Sequence, residues 1–105
     1  MCLMKQKSPK IHESYRNLRD AAEIFGKEST RLQQSSEGNL GLALCNFGMG
    51  WLMYTKSDYF ITKDFHEDKC LRKAANHFEV SEQIYLTREH YSGRAYCLKA
   101  LGNLR

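Results

Sequence analysis

The phrase Leu18-Arg-Asp-Ala-Ala-Glu-Ile-Phe25 returns 53 residues later as Leu71-Arg-Lys-Ala-Ala-Asn-His-Phe78. Both copies read Leu-Arg-x-Ala-Ala-x-x-Phe. In a chain of 105 residues this repeat constrains the fold more than any other feature, because it calls for two copies of one supersecondary unit packed side by side. A second pattern follows each copy. Gly41-Leu-Ala-Leu-Cys45 recurs as Gly93-Arg-Ala-Tyr-Cys97 at an offset of 52, and at that offset Met49-Gly50 aligns with Leu101-Gly102. The repeated unit is therefore larger than the opening phrase.

Its period is helical. Tyr15, Leu18, Ala22, Phe25, Ser29 and Leu32 are spaced three or four apart and form one stripe. Arg16, Asp20, Glu23, Lys27 and Arg31 lie opposite and mix both signs of charge, which reads as a solvated face. The spacing predicts a helix over about 13–35. Leu71, Ala75, Phe78, Glu82 and Tyr85 repeat the stripe and predict a second helix over about 68–88. Each is followed by a turn and a helix with small residues at fixed places, where backbones can approach closely. The fold class expected is all-α, with two antiparallel helical hairpins stacked on each other. Residues 57–68 form an inserted loop that is expected to be ordered, because Tyr59, Phe60 and Phe65 are poorly suited to free solvent. Residues 1–12 are expected to be a flexible basic arm, with Lys5, Lys7 and Lys10 and no acid before Glu13. Residues 13–105 make up the helical domain.

Charge and cysteine usage narrow the function classes. A net charge of +4 is too mild for a nucleic-acid-binding tail, so nucleic acid ranks well behind protein as a partner. No apolar run approaches a membrane span, and MCLMKQKSPK lacks the apolar core of a secretory signal. Cys2, Cys45, Cys70 and Cys97 are scattered without a CxxC pair, which suits reduced thiols in the cytoplasm or nucleus. Cys45 and Cys97 fall on apolar helical faces and read as small buried hydrophobes. No nucleophile elbow, phosphate loop or HExxH occurs, so neither a catalytic residue nor a cofactor is expected. Asp64, His66, Asp68 and Cys70, with His77 further on, have no paired ligands at tight spacing; they read as a polar loop, not a metal site.

Several of these residues resemble tetratricopeptide repeats. Met49-Gly50 takes the family's Leu-Gly place, and Ser57-Asp58-Tyr59 matches the turn that follows it. Ala21-x-x-x-Phe25 and Ala74-x-x-x-Phe78 match the family's second helix. Gly93-Arg-Ala95-Tyr-Cys97-Leu-Lys-Ala100-Leu101-Gly102 is similar to the entry of the longer repeats found in kinesin light chains and in regulators of mitotic spindle orientation. About 12 residues are inserted between Tyr59 and Ala74 relative to the family, and removing them leaves a repeat of about 41, near that longer type. Gly48 and Ala100 stand where the family carries an inward-facing Asn.

The resemblance implies a short tetratricopeptide-like solenoid whose first helices line a concave surface for a partner peptide. The positions it assigns to that surface are Leu44, Phe47, Trp51, Tyr54 and Thr55 in the middle helix, and Tyr96, Lys99 and Asn103 in the last. Lys99 and Asn103 match positions that hold a peptide's terminal carboxylate in chaperone-binding members. Phe47, Trp51 and Tyr54 are one aromatic face at i, i+4, i+7, and Trp and Tyr are frequent interface anchors. An aromatic stripe at helical spacing is, however, more often core than binding surface, and the loop through Phe60 and Phe65 is placed to fold over this one. The function expected is an adaptor or scaffold segment that binds another protein through Phe47, Trp51, Tyr54, Tyr96, Lys99 and Asn103, with Arg94 and Lys99 adding charge selection. The alternative is an assembly segment that self-associates, or docks into a larger repeat array, with no peptide groove.

Overall fold

The computed structural model describes residues 9–31 and 36–104. They form four helices: α1 (Pro9–Arg31), α2 (Ser36–Thr55), α3 (Glu67–Thr87) and α4 (Tyr91–Leu104), with one turn of 3-10 helix at Ser57–Tyr59. Among the described residues there is no strand. Residues 1–8 of the expected arm, Cys2 included, lie outside the described residues, as do 32–35 at the expected end of the first helix. Residues 9–12 are helical, so α1 starts four residues before the expected boundary. Pro9 suits that start, since a helix's first N–H has no partner to lose and the ring presets φ.

Consecutive helices pack on one another and run in opposite directions. A side chain at Gly41 would meet Phe25, and one at Gly48 would meet Leu18, so α2 descends as α1 rises. Ser81 donates to the carbonyl of Ala43 at 2.8 Å, while a side chain at Gly50 would meet the Ala74 carbonyl and the Phe78 ring at 3.0 Å, so α3 is antiparallel to α2. Cys97 Sγ donates to Ser81 Oγ at 3.3 Å, and a side chain at Gly93 would meet Tyr85. The result is a body 51 Å long with cross-dimensions of 28 and 22 Å. Its largest buried cluster joins Met53, Cys70, Ala74, Phe78, Ala100 and Leu101.

The two repeated phrases do not make identical contacts. Phe25 lies over Gly41, but Gly93, the counterpart of Gly41, lies under Tyr85 and not under Phe78. The cause is where α3 stops. His90 N–H donates to the Tyr85 carbonyl and Glu89 N–H to that of Leu86, a Schellman closure with Glu89 at φ 56°. His90 Nδ1 then accepts from Gly93 N–H at 3.1 Å and caps α4. The turn so formed falls further beyond Phe78 than the phrase spacing alone requires.

The 57–68 segment is partly helical: Glu67 and Asp68 already belong to the first turn of α3, where acids complement the helix dipole. The rest is tied by Thr62 and Phe65, which exchange backbone hydrogen bonds of 2.9 and 3.3 Å. Phe60 packs edge-on against His12 and Tyr15 of α1. The loop therefore folds toward α1.

A polar tie crosses three helices. Asn46 Nδ2 donates to the Leu42 carbonyl at 3.0 Å, which turns Oδ1 toward His77 Nδ1, also at 3.0 Å. His77 Nδ1 must then carry the proton, and Nε2 accepts from the Tyr15 hydroxyl at 2.8 Å. Among the described residues no buried side-chain nitrogen or oxygen lacks a partner.

Candidate partner-binding groove

The period that buries one face of α2 against α1 and α3 leaves another face toward α4. Between α2 and α4 lies an open groove of about 450 Å3 lined by Phe47, Gly48, Trp51, Tyr96, Lys99, Ala100 and Asn103. Its lining is mostly carbon. Trp51 stacks nearly parallel to Phe47, with centroids 6.3 Å apart and planes at 9°, and remains 47% exposed. Tyr96 faces it from α4 and is 65% exposed. Ala100 is buried and forms the floor. A smaller recess of about 140 Å3 continues past Phe47 and Tyr96 to Leu44, Tyr85 and Gly93.

Of the residues assigned to a partner surface, the groove brings together Phe47, Trp51, Tyr96, Lys99 and Asn103. Leu44 lines the smaller recess. Tyr54 lines neither; its ring meets Trp51 edge-on and packs against the cluster around Phe78. Thr55 donates back to the Trp51 carbonyl at 2.7 Å and is held along its own helix. Arg94 is not available for charge selection either. Its Nε donates to Glu82 Oε2 at 2.8 Å and ties α4 to α3. The aromatic stripe thus splits: Phe47 and Tyr54 lean into the core, while Trp51 stays open. The covering role considered for the loop is not seen. Phe60 and Phe65 instead help line a separate recess with His12, Tyr15, Arg16, Arg19 and Lys73.

Sequence reasoning missed Gly48 and Ala100 as lining residues. The signal was present, since both replace a larger polar residue of the resembled family with a small one. A side chain at Gly48 would meet Leu18 at 3.0 Å, so glycine there also lets α1 approach α2.

The other candidate chemistry is dispersed. His66 and Asp68 are exposed, Cys70 is fully buried, and His77 is engaged by Tyr15 and Asn46. Among the described residues no group of three or more His, Cys, Asp or Glu side chains is placed to hold a metal ion. Burial, helped by the nearby Lys73 ammonium, pulls the His77 imidazole down to about 4. Burial pushes the Cys45 and Cys97 thiols up, against thiolate chemistry.

The chain matches no protein-family model, and no curated protein or solved structure matches it. No helix among the described residues is long and apolar enough to cross a membrane.

Proposed function

We propose that this chain is a protein–protein interaction module, an adaptor or scaffold segment, that takes a partner peptide or helix into the groove between α2 and α4. The observation that carries the reading is the exposed Trp51 facing the exposed Tyr96 across an apolar floor. Two rigid aromatics above a preformed recess supply contact area at low entropic cost, which is what interface anchors do. An apolar side chain of the partner enters between Trp51 and Tyr96. Lys99 at the rim favours an acidic neighbour or a terminal carboxylate, and Asn103 offers a donor and an acceptor beside it.

The proposal includes a short tetratricopeptide-like stack of two antiparallel hairpins. It is supported by the meeting of the residues that carry the resemblance, Gly50 against Phe78 and Ala74. The reading is of a non-catalytic protein in the cytoplasm or nucleus, where the three buried free cysteines, Cys45, Cys70 and Cys97, stay reduced.

The test is selection of displayed peptides on the immobilised chain, followed by affinity measurement with variants. Trp51→Ala and Tyr96→Ala are expected to weaken selected peptides by tenfold or more, about 1.4 kcal/mol or above. Lys27→Ala, on the charged outer face of α1, is expected to leave affinity unchanged. Peptides that bind equally well to the Trp51 and Tyr96 variants would remove the groove from consideration.

A further inference from the structure

Repeat arithmetic shows a second surface, distinct from the groove. Within the chain, α3 covers one face of α2. Ala43, Asn46 and Gly50 are buried there, against Ser81, His77, and Ala74 with Phe78 respectively. α4 repeats α2 at an offset of 52, so Ala95, Leu98 and Gly102 stand in the places of Ala43, Asn46 and Gly50. All three are exposed. A side chain at Gly102 would meet nothing within 4 Å, whereas at Gly50 it would meet both backbone and ring.

α1 has the complementary gap. It repeats α3 at an offset of 53, so Ala21, Ile24, Phe25 and Glu28 stand in the places of Ala74, His77, Phe78 and Ser81. Ala74, Phe78 and Ser81 are fully buried, while Ala21, Phe25 and Glu28 are half-buried and Ile24 is 67% exposed. Phe25 has α2 on one side, where Phe78 has a helix on both.

We infer that the α1 face of one copy, Ala21, Ile24 and Phe25, docks on the α4 face of a second copy, Ala95, Leu98 and Gly102, repeating between molecules the α3-on-α2 contact made within one. The substitutions between the repeats favour this occupant over others. In the internal contact the central pair is polar, His77 against Asn46. At the two open faces both members change together, His77 to Ile24 and Asn46 to Leu98. The contact so formed keeps a matched pair at its centre, apolar against apolar, and buries two side chains that are now 67% and 48% exposed. Gly102 and Ala21 keep the small–small approach that Gly50 and Ala74 make. Glu28 replaces Ser81 at the edge, so that position carries charge where the internal contact carries a hydroxyl. A head-to-tail contact of this kind joins unlike surfaces, so it extends or closes a row of copies as repeat arrays do within one chain.

The test is sedimentation or light-scattering mass of the full chain as a function of concentration. The expected result is a mass that rises with concentration for the unaltered chain and stays that of a monomer for Ile24→Glu and for Leu98→Glu, each alone. Both residues are exposed, and helical circular dichroism checks that each variant folds. Mixing the two variants leaves one intact α1 face and one intact α4 face, so the mixture forms dimers and nothing larger. The double variant Ile24→His with Leu98→Asn rebuilds the internal pair and is expected to associate. A chain that is monomeric at every concentration overturns the proposal, and the faces then belong to another partner. Dimers of Leu98→Glu alone also overturn it, because they show a like-with-like contact through α1.

Discussion

Tyr15 of α1 and His77 of α3, 62 residues apart in sequence, share a 2.8 Å hydrogen bond in which the phenol donates to Nε2. The opposite ring nitrogen donates to Asn46 of α2. Three helices are therefore held by one imidazole, which burial and the Lys73 ammonium keep neutral. A protonated ring would donate on both sides, with the Tyr15 oxygen accepting in its turn, so what opposes the proton is the loss of water around the ring and the Lys73 charge beside it.

The pH dependence follows from that ring. Its folded-state value, about 4, lies below the ordinary 6.5, so the unfolded chain binds the extra proton first. The contribution to stability is complete above 6.5, declines as pH falls from 6.5 toward 4, and is gone below that. With allowance for solvent screening of a half-buried ring it amounts to roughly 2 kcal/mol. Denaturant unfolding across that window is expected to show the loss. His77→Gln, which keeps a donor and an acceptor but does not titrate, is expected to flatten it. An unchanged slope in that variant would assign the pH dependence elsewhere.

Two helical glycines should respond in opposite directions to alanine. At Gly93 the new methyl would meet the Tyr85 ring, which is itself buried, so repacking is expected to cost about 1–3 kcal/mol. At Gly26 the methyl meets nothing within 4 Å, and the better helix former is expected to add up to about 1 kcal/mol. Thermal or urea unfolding of the pair measures both signs.

Glu89 closes α3 at φ 56°, a left-handed position that disfavours a side chain. Glu89→Gly is expected to stabilise the chain by about 1 kcal/mol, because the strain of a Cβ in that region is of this size. The midpoint of denaturation should move up with no change in slope. A drop would mean that the Schellman turn is not the conformation at rest.

Trp51 offers a direct reading of the groove, since the chain has one tryptophan. Its indole is 47% exposed, so its emission is expected to be red-shifted and readily quenched by an aqueous quencher. Binding of a groove peptide should shift it blue and protect it. Emission that is already blue and protected in the free chain would mean the groove is filled without a partner.

The four helices were legible in the sequence because a 3.6-residue period with Ala, Gly and Phe at repeated places admits few alternatives. Phe47, Trp51, Tyr96, Lys99 and Asn103 were assigned to one surface by the tetratricopeptide resemblance and not by the period, which relates residues within one helix only; all five line the groove between α2 and α4. What the loop covers was not legible. Nothing local in Tyr59–Phe65 says which neighbour its aromatics will meet, and Phe60 goes to Tyr15 because α1 lies beside it in space. Tyr54 and Arg94 were assigned to the partner surface for the same want of a third dimension. Tyr54 is drawn to the Phe78 cluster and Arg94 to the Glu82 carboxylate, both contacts across helices.

By itself, then, the sequence determined that this chain is helical, that it repeats, and which residues share each helix face, because those are properties of periodicity along one strand of polymer. Only the tertiary structure decided which faces are covered. Gly50 and Gly102 occupy equivalent places in the repeat, yet α3 lies over the first and nothing in the described chain lies over the second. Burial depends on which neighbour is present, and that is settled by packing in three dimensions.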